Sequence, residues 1–308
     1  MEEEVQSRNA NPSSNVAQSP NFSGPFRTWH MRHSKRSLNP SGSDKIINAE
    51  IESIVELESR GGERVILLGT AHFSIESQKD VAKVVSAAQP DVIMVELCPS
   101  REAIMRVDEK TLLSEAKSIS LEKFQLLVKQ YGAVHGLTHI LLLKVSAYVT
   151  EQLGVAPGGE FRAAYQHAGN VPGCQLYLGD RPMQVTLRRA MGKLGFFSKM
   201  SLLWSLLFSS MDKITMEDVE KMKKADLLEE LMGQFAGSFP DLSEVIVNER
   251  DTYLCYSLES CVRESRKLLP SNAHPVVVGV VGAGHVKGIV GRWQKGPVTE
   301  EQLKTVLT

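Results

Sequence analysis

Two tetrapeptides, Gly69-Thr70-Ala71-His72 and Gly282-Ala283-Gly284-His285, each end an apolar run with a histidine three residues after a glycine. A third apolar run, DVIMVELC, carries Glu96 near its end. Two neutral imidazoles and a carboxylate suffice to hold a divalent metal and leave a position for water, which the ion would acidify into a nucleophile. Arginines follow two of the apolar runs, Arg101 in VELCPSR and Arg181 in LGDRP, and a third, Arg250, lies in the helical segment NERD. A guanidinium there would orient or neutralise an oxyanion or a substrate carboxylate. Glu96 suits either of two roles, metal ligand or general base.

Each group also has a structural reading. A carboxylate inside an apolar strand requires a partner, which an ion pair of Glu96 with Arg101 or Arg181 would supply. NERD is either a solvated helix face or a segment that turns Glu249 and Arg250 toward a cleft. His135 and His139 have i, i+4 spacing without the glutamate of H-E-x-x-H, and read as helix packing. Gly282, Gly284 and Gly288 superficially suggest a dinucleotide fingerprint, but their last spacing is three rather than two, with no strand and acid to follow. The glycines are therefore expected to shape a strand-end turn that presents His285 opposite His72.

Such a cluster needs strands that end together. IESIVELES alternates as a half-buried strand and turns through Gly61-Gly62 into the buried run RVILLGT. SQKDVAKVVSAAQP places Val81, Val84, Val85 and Ala88 at helical spacing, so this stretch and DVIMVELC complete a βαβ unit. CQLYLG and PVVVGVVG supply further strands. Helical patterns fill 108–153, with Ser120 as a cap candidate, and about 185–237, and an amphipathic helix capped at Asp241 precedes the last strand. The expected fold is α/β, a sheet with βαβ units and a long helical insertion, with the functional residues at strand ends. Residues 1–43, rich in Ser, Asn and Pro, read as a flexible tail, 44–295 as the domain and 296–308 as a C-terminal extension.

Thirty-five basic residues against 36 acidic ones give a net charge of -1, so no global field favours nucleic acid. The four cysteines, Cys98, Cys174, Cys255 and Cys261, form neither a C-x-x-C pair nor a dense framework, which suits a reducing, intracellular compartment. The start MEEEVQSRNA lacks the order of a signal peptide. The apolar stretch GFFSKMSLLWSLLFSS contains Lys199 and is too short to span a bilayer, so it is expected to be a buried helix face.

LLGTAHFS, VELCPSR, APGGEFR, LGDRP, NERD and GVVGAGHVKG, in this order across about Val55 to Arg292, resemble the TraB/PrgY/GumN family, and its eukaryotic branch in particular. The resemblance implies the family's α/β domain, with His72, His285 and Glu96 matching its paired G-x-x-H motifs and strand glutamate, and Arg101 and Arg250 its arginines. One extracellular branch is a divalent-metal-dependent protease, so the resemblance implies a peptidase-like hydrolase using Mn, Co or Zn on a peptide or protein. It equally implies an alternative, a non-catalytic adaptor or regulator on the cytosolic face of the mitochondrial outer membrane or at membrane contacts. Relatives of that kind carry a C-terminal apolar anchor, whereas this sequence ends in KTVLT.

Overall fold

In the computed structural model the described residues are 28–30, 51, 53–58, 60–71, 74–106, 158–193, 195, 240–270 and 273–308. Six strands, β1 (Thr28–His30), β2 (Ile54–Leu57), β3 (Arg64–Thr70), β4 (Val92–Val95), β5 (Gln175–Leu178) and β6 (Val276–Gly282), form one sheet in the order β1-β5-β4-β6-β3-β2. The four inner strands are parallel, and the two edge strands, β1 and β2, run antiparallel to their neighbours.

The inner strands read as continuous apolar runs because both faces of the sheet are covered. Ile66, Leu68, Ile93, Val95, Val278 and Val280 face one layer, made by α1 (Ile75–Ala88) and α2 (Gly159–Ala168), where Val81, Val84, Val85 and Phe161 complete the core. Val65, Leu67, Val92, Met94, Val277 and Val281 alternate to the other face. There they meet Leu254, Cys255 and Leu258 of α4 (Glu249–Leu268) and Ile289 and Trp293 of α5 (Ala283–Gln294). Each buried side chain of Val or Leu size contributes roughly 1.5–3 kcal/mol. The α3 helix (Met183–Lys193) follows β5, and α6 (Glu300–Leu307) closes the order, started by a reciprocal Thr299/Gln302 cap.

The β2–β3 hairpin and the α1 core positions agree with the sequence reading, and four features add to it or depart from it. Residues 28–30, expected in a tail, pair with β5 and cover what would otherwise be an open edge. β3 and β4 are not neighbours, because β6 lies between them and pairs with both. The chain after β6 makes no free turn: α5 begins at Ala283, and His285 stands in its first helical turn. The extension at 296–308 contains α6, whose Val306 is buried.

The α4 helix is preceded by a helical turn, Pro240–Ser243, which starts one residue before the expected cap Asp241, and by a π-helical turn, Glu244–Asn248. In that turn the Glu249 amide bonds to Glu244 O, so Val245 O is not used by the helix ladder at Glu249. The patterns expected over 108–153 and 196–237 fall outside the described residues, as do His72, Ser120, His135, His139 and nearly all of the apolar stretch after Gly195.

Candidate active site

The parallel inner strands bring their carboxyl ends to one edge of the sheet, where open α/β sheets bind ligands. β3 and β6 finish in register, Thr70 beside Gly282, so the two G-x-x-H motifs leave adjacent strands at the same level. Gly69 allows α5 to close over the end of β3: a β-carbon there would come within 2.9 Å of Val286 Cγ2 and 3.4 Å of Ala283 Cα. His285 thereby stands above the sheet, 9% exposed.

Glu96 follows β4 directly and is 4% exposed. Its Oε2 accepts the Gly282 amide at 2.6 Å, and its Oε1 accepts Arg250 Nη2 at 2.5 Å and lies 3.3 Å from His285 Nε2. The other nitrogen of His285, Nδ1, is 2.6 Å from Asp251 Oδ1. Arg250 Nη1 also stands 3.1 Å from His285 Nε2, while its Nε and Nη2 donate to Asp180 at 3.0 and 3.1 Å. Asp180 further accepts Arg101 Nη2 at 2.7 Å and the Arg181 amide at 2.8 Å. The partner that the buried Glu96 charge requires is thus Arg250, not Arg101 or Arg181 as a sequence neighbour would suggest.

Burial alone would push the His285 imidazolium down, but its bonds to Asp251 and Glu96 and the Glu96 charge outweigh burial and the repulsion of Arg250, raising it to about 9. Burial likewise works against the Arg250 charge, yet Asp180 and Glu96 hold its guanidinium above its ordinary value. Three carboxylates, Glu96, Asp180 and Asp251, therefore face three cations, Arg101, Arg250 and His285, in a charge-balanced network.

Arg181 stands apart from this group. Its side chain is 0% exposed and donates to Glu249 Oε2 at 2.7 Å, Val306 O at 2.8 Å, Val245 O at 2.8 Å and Thr186 Oγ1 at 3.0 Å. Val245 O, which the Glu249 amide passes over, is one of its acceptors. Glu249 meets Arg189 through both oxygens at 2.6 Å. Of the NERD residues, then, Arg250 and Asp251 face the strand ends and Glu249 faces the Arg181 anchor, because successive residues on a helix point in different directions.

Asp251 is the site residue that sequence reasoning missed. The available signal was Gly288: a β-carbon there would collide with the Asp251 carboxylate, so the glycine on α5 marks the close approach of an acid from another helix.

The donor set can be tested against a divalent ion. Two ligands of a tetrahedral ion at about 2.1 Å lie roughly 3.4 Å apart, and Glu96 Oε1 and His285 Nε2 are 3.3 Å apart. Asp251 on Nδ1 is the carboxylate that commonly orients a ligating histidine. Among the described residues no group of three His, Cys, Asp or Glu side chains is arranged to hold an ion, and His72 lies outside them. Glu96 and His285 fit such an ion as a pair, and binding would have to displace both Arg250 and the imidazolium proton.

A doubly covered mixed sheet with parallel inner strands, and with acids, arginines and a histidine at their ends, defines the class: an α/β protein with a polar site at the carboxyl edge. The sequence profile of the TraB/PrgY/gumN family matches residues 54–295, and the chain belongs to that family. TraB domain-containing proteins of Homo sapiens and Bos taurus are each 48% identical over 266 residues, which covers 83% of this chain and 68% of theirs. An uncharacterized protein of Methanocaldococcus jannaschii is 30% identical over 229 residues, or 73% of this chain and 52% of its own.

Proposed function

We propose that this protein is a divalent-metal-dependent hydrolase of peptides or proteins, with Glu96 and His285 as ligands and His72 as the third. The observation that carries this reading is the separation of Glu96 Oε1 from His285 Nε2, with His285 Nδ1 already held by Asp251. When bound, an ion such as Mn, Co or Zn would supply Lewis acidity and an acidified water. Asp251 fixes the ring of His285, and the Gly282 amide fixes Glu96. Arg250 and Arg101, tied together through Asp180, would orient a substrate carboxylate or meet a developing oxyanion. Arg181 positions Asp180 from behind through its backbone amide.

A second reading rests on charge balance. The charges of the six ionised groups balance without a ligand, as a scaffold would require, and this favours a non-catalytic adaptor at a membrane contact or the mitochondrial outer membrane. Among the described residues no helix is long and apolar enough to cross a membrane. All four cysteines are free and buried, which supports a reducing compartment for either role.

Elemental analysis after loading with Mn, Co or Zn decides between the two, run on the wild type and on His72→Ala, Glu96→Gln and His285→Ala proteins whose circular dichroism is unchanged. Stoichiometric metal in the wild type, lost in all three variants, together with cleavage of a peptide library, is the expected result. No metal in the wild type, or metal indifferent to these changes, transfers the conclusion to the adaptor.

A further inference from the structure

The outer edge of β5 is taken by β1, and three residue pairs join them: Thr28 with Tyr177, Trp29 with Leu176 and His30 with Gln175. Seven pairs join β3 to β6. A short strand with one neighbour is the part of a sheet that opens most readily. The edge that it covers is well formed without it, since β5 is paired to β4 on its inner side and all four of its residues are buried. Departure of β1 leaves a finished strand with unpaired amides and carbonyls, the kind of surface to which an extended peptide adds.

Direction ties this edge to the candidate active site. β1 runs antiparallel to β5, so Thr28 lies toward the carboxyl end of the sheet and His30 away from it. The pairing of β5 with β4 carries on beyond Leu178, the Gly179 amide donating to Val95 O at 2.9 Å and the Asp180 amide to Leu97 O at 3.3 Å. Glu96 lies between those two acceptors in the chain, and Asp180 holds Arg101 and Arg250. A peptide that takes the place of β1 in the same register therefore points its amino-terminal side at the Glu96–His285 pair. The outer position is two strand spacings from β4, roughly 10 Å, a gap that about three extended residues cross.

The length of the connection lets β1 leave while the rest of the sheet stays paired. It leads to β2, at the opposite edge, five strand spacings or about 24 Å away. Residues 31–53 reach on the order of 70 Å when extended, so detachment of β1 does not require β2 to part from β3.

We propose that the outer edge of β5 is a strand-addition site for an extended peptide, and that residues 28–30 occupy it as an intramolecular inhibitor. The proposal rests on the hydrolase reading for the peptide's role as substrate; the binding itself is measured without metal.

Fluorescence anisotropy of a labelled peptide of residues 24–33, titrated with the full chain, tests the site. Consecutive amides of a strand point to opposite sides, so a Thr28→Pro, Trp29→Pro double variant removes one that faces β5. This variant, with wild-type circular dichroism, is expected to bind the peptide saturably and about tenfold or more tighter than the wild type does. The same peptide carrying both prolines is expected not to bind. Equal affinity of the two proteins, binding of the proline peptide, or no saturable binding to the double variant overturns the proposal. Hydrogen exchange in the wild type needs no substitution: the β1 amide that faces β5 is expected to exchange at least a hundredfold faster than those of β6, and equal protection overturns the proposal as well. Faster cleavage of a peptide library by the metal-loaded double variant than by the wild type supports both readings. Peptide binding with no cleavage by either protein keeps the strand site and ends the hydrolase reading, whereas cleavage indifferent to the two prolines keeps the hydrolase and ends this inference.

Discussion

The Asp251 carboxylate occupies the space that a β-carbon on residue 288 would fill. The bond from Asp251 to His285 Nδ1 therefore depends on a glycine one helical turn further along α5. A helix interior ordinarily gains about 0.5–1 kcal/mol when glycine becomes alanine. At position 288 the collision reverses that sign, and Gly288→Ala is expected to destabilise the fold by roughly 1–3 kcal/mol. Gly291→Ala, three residues away on the same helix and facing open space, is expected to stabilise it by up to ~1 kcal/mol. Urea unfolding of the two variants beside the wild type checks the pair, and equal effects would remove the role assigned to Gly288.

His285 gives the site a pH dependence whose direction follows from its environment. Its folded value, about 9, lies above that of an unfolded histidine, about 6.5. Its contribution to stability is therefore complete below about pH 6.5 and lost as pH rises through about 9. In the metal-free protein, the His285 ring protons are expected to titrate with a midpoint near that value by nuclear magnetic resonance. Asp251→Asn is expected to lower the midpoint. The stability advantage of the wild type over this variant is expected to be largest near neutral pH, to shrink toward alkaline pH as His285 loses its proton, and to shrink toward acid pH because burial raises the Asp251 carboxyl, as read by urea unfolding across that range. A midpoint unchanged by Asp251→Asn would mean that the carboxylate does not hold the proton.

Arg181 is expected to act on stability and not on ligand binding. Replacing it with methionine strands the buried Glu249 with Arg189 as its remaining arginine and leaves three acceptor groups, Val245 O, Val306 O and Thr186 Oγ1, without their donor. Removal of one member of a buried pair costs about 3–5 kcal/mol. Arg181→Lys is expected to recover only part of that loss, because an ammonium cannot span four acceptors set around a planar fork. Chemical denaturation measures both variants, and a loss below about 1 kcal/mol would put the anchor in the class of exposed pairs.

Strands were legible in the sequence because burial on both faces makes them continuous apolar runs, and the side chains at their ends could be read from the same pattern. Glu96, Arg101 and Arg250 do converge, and His285 joins them. Arg181 does not, because the sequence gives the neighbours of Asp180 but not the direction in which each turns after β5. The helical insertion read from the pattern lies outside the described residues, and so does His72. Asp251 was hidden because its partner is thirty-four residues away and the link is made through the absence of a side chain at Gly288. The short β1 strand escaped notice because three residues carry no periodicity, and only the unpaired edge of β5 explains their pairing. The strand order was equally hidden, since no local pattern says that β6 will enter between β3 and β4.

That order has a consequence for how the chain is made. When a ribosome has released the residues through Leu268, the sheet exists at most as two separate pieces, β2 with β3 and β4 with β5 and β1, each with an open inner edge. Such edges attract foreign strands, and closing them waits on contacts between distant parts of the chain, which form slowly. The seven residues of β6 bridge both edges at once and are followed directly by the helix that bears His285. Synthesis thus completes the barrier to aggregation and the candidate active site in one event, so a nascent chain stalled before Val276 would be both unfinished in its chemistry and vulnerable to chaperone capture.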